Sequence, residues 1–170
     1  MSKQMQDSIK PIHDPIVRKA APGDATTILK LIDALAAYEH LTPPNDAAKK
    51  RLIGDMFSVR PRIEPYLCEI NGIAAGYALV FETYSSFLAL PTLYLEDLFV
   101  LPEFRNCRAG YALFMAMVRE ADKRGCGRME WSVLDWNELA MGFYRRFNAK
   151  HMKEWCLYRL TCEEIASLSA

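Results

Sequence analysis

The chain has 170 residues, 51% of them hydrophobic and 25% charged, and its 21 basic side chains balance 21 acidic ones. This length suits one domain that buries roughly 70% of the surface exposed by the unfolded chain, so its core needs neither a metal nor a disulfide. The zero net charge argues against a nucleic-acid-binding protein, and the sequence has no run of ~20 apolar residues that would predict a membrane span.

The cysteines and the start of the chain carry little functional signal. Five cysteines without a CxxC pair indicate neither a disulfide framework nor a zinc site. Residues 1–14 are polar, are interrupted by prolines and lack the apolar core of an export signal. We therefore expect a flexible arm over 1–14, a single domain over 15–170, and a cytoplasmic protein that binds no metal, nucleic acid or membrane.

The first third of the chain predicts one strand followed by two helices. Ile16-Val17-Arg18-Lys19-Ala20 favours a short strand. Asp24 is placed to cap a helix that runs to about Glu39, because apolar residues recur after it at helical spacing. Asn45 is placed to cap a second, more polar helix that ends near Phe57.

The pattern changes from helices to strands after Pro61. Asn71-Gly72 separates two apolar runs, 65–70 and 73–82, and is a strong hairpin signal because both residues accept the positive φ of a type I′ turn. A loop over 83–91 is expected to lead into the next strand.

The second half of the chain predicts alternating strands and helices. In chain order these are a strand at 92–100, a helix at 108–124 closed by Gly125, a strand at 128–134, a helix at 138–147, a strand at 151–160 and a short tail. The complete order indicates an α/β or α+β domain with a mixed sheet. It lacks the GxGxxG fingerprint of a dinucleotide-binding fold.

Two adjacent carboxylates, Glu96 and Asp97, interrupt an otherwise apolar strand. An unpaired buried carboxylate is costly, so these side chains should line a wet cleft, pair with a cation or have raised pKa values. An ion pair with an arginine is the structural alternative. Neighbouring strand residues point to opposite faces, so the two acids can share a site only if a bulge or a splay distorts the strand.

The loop over 102–110 joins that strand to a long helix. The first N–H groups of a helix have no partner within it and carry the positive end of its dipole, so such a loop can cradle an anion. Arg105 adds a fixed positive charge. Most loops of this kind bind nothing, and the loop alone is weak evidence for a site.

Four separated motifs resemble one family. Arg105-Asn106-Cys107-Arg108-Ala109-Gly110 resembles the R/Q-x-x-G-x-G/A pyrophosphate loop of the GNAT superfamily of acetyl-CoA-dependent N-acetyltransferases. Tyr94-Leu95-Glu96-Asp97, Leu134-Asp135-Trp136-Asn137 and Phe143-Tyr144 look like its diamine acetyltransferase branch, which contains spermidine/spermine and thialysine acetyltransferases, and the segment 31–39 is similar to that branch too. The resemblance covers about residues 15–160. It implies a mixed, mostly antiparallel sheet flanked by helices, with splayed central strands, and a homodimer.

The resemblance also implies roles for individual side chains. Glu96 and Asp97 would attract an ammonium, and Glu96, acting through a water, would accept its proton. Glu39, with Tyr38, would hold a distal amine of the substrate. Tyr144 would be the general acid that protonates the departing thiolate.

Acetyl-CoA is the co-substrate that the resemblance implies. The backbone of β-strand residues would pair with the pantetheine amides as an extra strand would, and the loop would hold the pyrophosphate. The residues so assigned are Leu98, Phe99, Val100, Arg105, Asn106, Cys107, Arg108, Ala109, Gly110, Tyr111 and Asn137. Asn137 is also placed to cap the helix that carries Tyr144.

Two departures from the family pattern bear on function. Arg108 stands where the family has its first loop glycine, and it could crowd the phosphates, point outward or bind them; we expect acetyl-CoA binding to be retained. Tyr84-Ser85-Ser86-Phe87 carries no carboxylate where polyamine-preferring members have one. This favours a small diamine or a lysine-like amino acid as acceptor. A protein N-acetyltransferase and a non-catalytic acyl-CoA-binding module are the alternatives, and Arg108 is the best support for the module.

Overall fold

Five strands, hydrogen-bonded in the order of the chain, form one sheet in the computed structural model, which describes residues 14–170. The arm expected over 1–14 lies, apart from Asp14, outside the described residues. The strands are β1 (Ile16–Lys19), β2 (Glu64–Ile70), β3 (Ile73–Ser85), β4 (Leu90–Val100) and β5 (Arg128–Glu130). The first three pairings are antiparallel, and β5 runs parallel to β4. The predicted mixed, mostly antiparallel sheet is therefore confirmed.

Five α-helices accompany the strands in the described part of the chain. They are α1 (Ala25–Tyr38), α2 (Asp46–Phe57), α3 (Ala109–Lys123), α4 (Glu138–Arg145) and α5 (Cys162–Leu168). The chain divides into two compact units: one ends at Ser132 and contains the sheet with α1 to α3, and the other, Val133–Ala170, contains α4 and α5. Across residues 14–170, no helix has both the length and the apolar character that a membrane crossing requires.

The two faces of the sheet in the first unit bury different helices. Leu67, Tyr77 and Phe99 form a core cluster with residues of α1 and α2. Because side chains alternate along a strand, Tyr66 lies on the other face, and its hydroxyl is 3.4 Å from Arg124 at the end of α3. The sheet thus lies between α1 and α2 on one side and α3 on the other.

The helix boundaries follow the predicted caps. Asn45 Oδ1 accepts a hydrogen bond from the N–H of Ala48 at 2.9 Å, as an N-cap should. Asp24 stands at the N-cap position of α1, but its carboxylate accepts hydrogen bonds from Arg18 and from the N–H of Ala21. Gly125 follows α3 with a φ of 67°, the conformation that a C-cap glycine supplies.

The hairpin predicted at Asn71-Gly72 is confirmed, whereas the prediction of a loop over 83–91 is wrong. Asn71 and Gly72 have φ values of 53° and 76° and join β2 to β3. The predicted loop over 83–91 is mostly strand, because β3 continues to Ser85 and pairs there with Leu90. The turn between the two strands is confined to residues 86–89.

Three predictions near the end of the chain need correction. The strand predicted over 128–134 ends at Glu130, where its pairing with β4 ends. The strand predicted over 151–160 is absent, and those residues are exposed without a neighbouring strand in the described structure. The short tail instead forms α5, which begins with a reciprocal capping box between Thr161 and Glu164.

Candidate active site

A bulge in β4 gives the two adjacent carboxylates a common location. Asp97 lies opposite Leu79, whereas the next residue of β3, Val80, lies opposite Leu95. Glu96 is therefore the extra residue, and the distortion that a shared site requires is present. The negative charge of Glu96 acts on Asp97 and Tyr77, which places it near both groups.

Asp97 is the carboxylate most changed by its surroundings. Burial, which is the largest cause, and the charges of Glu96 and Glu39 together raise the pKa of Asp97 to about 6, and a hydrogen bond from Tyr77 opposes them. In that bond the Tyr77 hydroxyl donates to Asp97 Oδ2 at 2.9 Å. Asp97 can therefore exchange a proton near neutral pH.

The end of α1 supplies the third carboxylate of this acidic cluster, which consists of Glu39, Glu96 and Asp97. Glu39 is the C-cap residue of α1, and burial raises its pKa above the usual range. Within residues 14–170, none of the three carboxylates has a lysine, arginine or histidine nitrogen within 4.0 Å. The alternative of an internal arginine partner is therefore not met.

An aromatic and cationic contact connects α1 to the end of β4. The Tyr38 ring lies 6.1 Å from the ring of Phe99, measured between centroids. The guanidinium of Arg105 lies over the Tyr38 ring at 4.7 Å, and its Nε donates to the carbonyl of Val100 at 3.3 Å. Tyr38 is thus brought together with Phe99 and Arg105, and it directly precedes Glu39 in the chain.

Among residues 14–170, the flank of β4 that faces β5 has a neighbouring strand only along its first half. β5 pairs with β4 only from Thr92 to Tyr94, and residues 95–100 have β3 on their other side. Leu98, Phe99 and Val100 lie in this stretch, so an extended ligand with amide groups could hydrogen-bond to their backbone. The pairing of β4 with β5 ends in the region where the family resemblance implies a splay.

The loop after β4 adopts an unusual backbone. A short 3-10 turn at Pro102–Phe104 leads to Asn106 and Arg108, which have φ values of 63° and 64°. Arg108 thus occupies the left-handed conformation that favours glycine. Its side chain is 73% exposed and lies 3.6 Å from Asp14, so of the three orientations considered it has the outward one.

The remaining loop residues lead directly into α3. Arg108 is the N-cap residue, Ala109 is buried, and Gly110 and the exposed Tyr111 belong to the first turn. Cys107 is half-buried. The first N–H groups of α3 therefore follow immediately after Arg108.

The second unit contains the two remaining predicted residues. Asn137 Oδ1 accepts a hydrogen bond from the N–H of Ala140 at 3.1 Å, so its capping role at α4 is confirmed. Tyr144 lies in α4 with its ring 5.2 Å from that of Phe143. Burial raises the pKa of the Tyr144 phenol to about 12, so the phenol is protonated at neutral pH.

The family follows from comparison with known proteins. Residues 28–149, more than half of the chain, match the acetyltransferase (GNAT) family. The chain belongs to this family. The GNAT family and fold that the sequence predicted are confirmed.

Curated relatives of this GNAT chain are amine acetyltransferases. The L-ornithine N5-acetyltransferase of Arabidopsis thaliana is 30% identical over 89% of this chain and 86% of its own length. The thialysine N-epsilon-acetyltransferase of Bos taurus is 30% identical over 91% of this chain and 96% of its own length.

Solved structures share the fold of this GNAT chain at low identity. An integron cassette protein of V. cholerae matches with a TM-score of 0.77 at 17% identity, over 92% of this chain and 98% of that one. Aminoglycoside N-acetyltransferase AAC(6')-Iy, solved in complex with CoA, matches with a TM-score of 0.71 at 20% identity, over 91% of this chain and 99% of that one.

Sequence reasoning missed Tyr77 and Gly76. Tyr77 reads as a strand aromatic, and its contact with Asp97 depends on a bulge whose position the sequence does not specify. A Cβ atom at Gly76 would lie 2.3 Å from the carbonyl oxygen of Phe99. The available signal was a glycine inside a strand, which often marks a close backbone approach.

Proposed function

We propose that this GNAT chain moves the acetyl group of acetyl-CoA to a primary amine of a small cationic acceptor, by direct attack of the amine in a ternary complex. The observation that carries the proposal is the bulge, which gathers Glu96 and Asp97 near Glu39. Three carboxylates without an ion-pair partner in residues 14–170 suit a cationic substrate. Family membership supplies the reaction type.

The reaction requires a group that removes a proton from the substrate amine, and Asp97 and Glu96 can do this. A primary amine reaches the enzyme as an ammonium, which cannot attack a thioester until it loses a proton. A general base works best when its pKa lies near the working pH, and the pKa of Asp97 is raised to about 6. We therefore place Asp97 first as the proton acceptor, with Glu96, acting through a water, as the other candidate.

Acetyl-CoA fits the residues of the first unit. The open flank of β4 offers the backbone of Leu98, Phe99 and Val100 to the pantetheine amides, and Gly76 lets β3 approach that segment closely. Arg105 and the N–H groups that begin α3 suit the pyrophosphate. The co-substrate supplies the activated acyl group. The resemblance to the family assigns protonation of the leaving thiolate to the Tyr144 phenol, which remains protonated at neutral pH.

The acceptor class follows from the acidic cluster and from the relatives. The names of two curated relatives specify ornithine and thialysine, which are amino acids with a terminal amine. We propose that the acceptor is such a lysine-like amino acid or a small diamine, since Tyr84-Ser85-Ser86-Phe87 lacks a carboxylate. The proposal includes a cytoplasmic homodimer, whose oligomeric state light scattering would measure.

A thiol-release assay tests the proposed function. The purified chain with acetyl-CoA is given ornithine, thialysine, lysine, putrescine, spermidine, spermine and a lysine-containing peptide in turn. Release of thiol with the amino acids or putrescine, and slower release with spermine and the peptide, supports the proposal. A rise in melting temperature on adding acetyl-CoA without thiol release from any amine would instead identify a non-catalytic acyl-CoA-binding module.

A further inference from the structure

Tyr77 connects the core of the sheet to the acidic cluster. It is fully buried on β3 opposite Phe99, and the two rings meet edge to face with centroids 6.5 Å apart. A buried tyrosine hydroxyl needs a hydrogen-bond partner, and here it donates to Asp97 Oδ2 at 2.9 Å. Packing on all sides of the ring therefore fixes the position of one donor beside the carboxylate.

The groups around Asp97 have opposing effects on the ionisation of its carboxyl group. From β4 the charge of Glu96, and from the end of α1 the charge of Glu39, disfavour the ionised carboxylate, as does burial. From β3 the Tyr77 hydroxyl favours the ionised form. Arg105, in the loop after β4, is engaged with the Tyr38 ring and the Val100 carbonyl.

We propose that Tyr77 is a positioning residue for Asp97: its hydroxyl holds Oδ2, presents Oδ1 to the incoming ammonium and keeps the carboxylate ionised. The inference rests on the proposed function, in which Asp97 receives the proton. Tyr77 itself does not touch the reacting atoms. Because the Tyr77 ring is packed in the hydrophobic core, its hydroxyl has a fixed position, and the hydrogen bond restrains the rotamer of the Asp97 carboxylate.

The substitution Tyr77→Phe removes only the hydroxyl oxygen. Loss of a hydrogen bond to a charged group destabilises the carboxylate, so the pKa of Asp97 rises. The acidic limb of the kcat/KM profile for the best amine in the panel should therefore move to higher pH by about one unit. At pH 7 this shift alone lowers the ionised fraction of Asp97 about twofold, and the loss of positioning should bring the total fall in kcat to about tenfold, with a smaller change in the KM for the amine.

Tyr66→Phe is the matched control. Tyr66 is a buried tyrosine on the adjacent strand β2, and its hydroxyl lies on the opposite face of the sheet, 3.4 Å from Arg124. The same chemical change there should leave the pH profile in place. A Tyr77→Phe profile that coincides with the Tyr66→Phe profile would overturn the inference.

A titration that needs no turnover separates this inference from the proposed function. The Asp97 side-chain carboxyl of the full chain is followed by carbon-detected NMR against pH, with Asp97→Asn to assign the signal. A midpoint that is raised in the wild type and higher again in Tyr77→Phe supports the role of Tyr77, even if no amine in the panel is acetylated. Equal midpoints in the two proteins overturn it; if Tyr77→Phe does not fold, a Tyr77 Cζ signal of the wild type that does not move as Asp97 titrates does so.

Discussion

The backbone conformation of Arg108 is strained for a residue with a side chain, whereas the glycine of the family pattern would adopt it without strain. Its φ of 64° is in the left-handed region, where a side chain costs roughly 1–2 kcal/mol, and its exposed contact with Asp14 returns little of that. Arg108→Gly should therefore raise the free energy of unfolding by about 1 kcal/mol. Thermal unfolding should show a midpoint about 2–4 °C higher.

Asn106→Gly provides the comparison for this loop. Asn106 has nearly the same φ, 63°, but asparagine tolerates that conformation, so the gain should be smaller. A loss of stability in Arg108→Gly would show that the arginine side chain makes a contact worth more than the strain. Acetyl-CoA binding by Arg108→Gly should be at least as tight as in the wild type.

The ionised Asp97 carboxylate is expected to lower the stability of the folded protein at neutral and higher pH. Its folded pKa of about 6 lies above the unfolded value of about 4, so the folded state holds the proton more tightly. Stability therefore falls as the pH rises through this window. Asp97→Asn lacks this effect and should be more stable than wild type by about 2–3 kcal/mol at pH 8, with acetyl transfer greatly reduced.

Chemical denaturation at several pH values checks the Asp97 prediction. The advantage of Asp97→Asn should shrink between pH 6 and pH 4 and vanish below about pH 4, because the wild-type carboxyl is then protonated in both states. A constant difference between the two proteins across this range would mean that Asp97 has an ordinary pKa.

Sequence reasoning at the residue scale identified the acids but not their environment. Two carboxylates in an apolar strand had to be explained, and they do lie together. Their hydrogen-bonding partner could not be predicted, since a one-residue change in register moves every side chain to the other face of the sheet. The sequence did not show which of the two acids is buried, and Glu96 was expected to accept the proton. The burial of Asp97 raises its pKa and favours Asp97 as the proton acceptor.

The pairing of β3 with β4 depends on the missing side chain of Gly76. A Cβ atom there would lie 2.3 Å from the Phe99 carbonyl oxygen and 3.0 Å from the Val100 Cα, and both are backbone atoms. Gly76→Ala should therefore displace the end of β4 and lower the free energy of unfolding by about 1–3 kcal/mol. Calorimetric binding should also show weaker binding of acetyl-CoA, because the displaced backbone is the proposed pantetheine site.

Gly54→Ala is the control for the Gly76 substitution. Gly54 lies within α2, and a Cβ atom there has no neighbour within 4 Å. Because alanine favours helix over glycine, this change should stabilise the protein by up to about 1 kcal/mol. Equal effects of the two substitutions would contradict the close approach at Gly76.

Local signals predicted some elements well and others poorly. Helices with caps, such as α2 after Asn45, and the Asn71-Gly72 hairpin were placed correctly because their signals lie within a few residues. The β3–β4 turn was read as a long loop because polar residues there pair across strands, as Thr83 does with Thr92. Apolar residues over 151–160 suggested a strand, but a strand also needs a neighbour, which a local pattern does not reveal.

An ionic network holds the sheet and α3 together in the first unit. Arg124, at the end of α3, donates to Glu64 of β2 at 2.7 Å, to Glu82 of β3 at 3.1 Å and to Glu120 at 2.9 Å. The side chains of Arg124 and Glu64 are each 16% exposed. Arg124→Met would leave partly buried carboxylates without this partner, and should lower the free energy of unfolding by about 2–4 kcal/mol in urea denaturation.

The exposed Arg119, also in α3, gives the reference for Arg124. Arg119→Met should change stability by less than about 0.5 kcal/mol. The deficit of Arg124→Met should also decrease at low pH, where the carboxylates are protonated and need no cation. A deficit independent of pH would assign the effect to packing of the arginine chain and not to charge.

At the scale of the whole molecule, separated motifs predicted more than local propensity did. The loop around Arg105, the Glu96-Asp97 pair, Asn137 and Tyr144 identified the GNAT family, which then implied the mixed sheet and its splay. The lengths of individual strands did not follow, since they depend on pairing between distant segments of the chain.

The interrupted pairing of β4 also matters for handling the protein. One flank of residues 95–100 has no pairing strand within the described part of the chain, and an extended peptide of suitable spacing can hydrogen-bond to it, including the same segment of another molecule. Preparations kept without a thioester should therefore form assemblies on storage more readily than preparations kept with acetyl-CoA. Acetyl-CoA bound along the open flank of β4 would therefore protect the enzyme from association during storage, in addition to serving as its co-substrate.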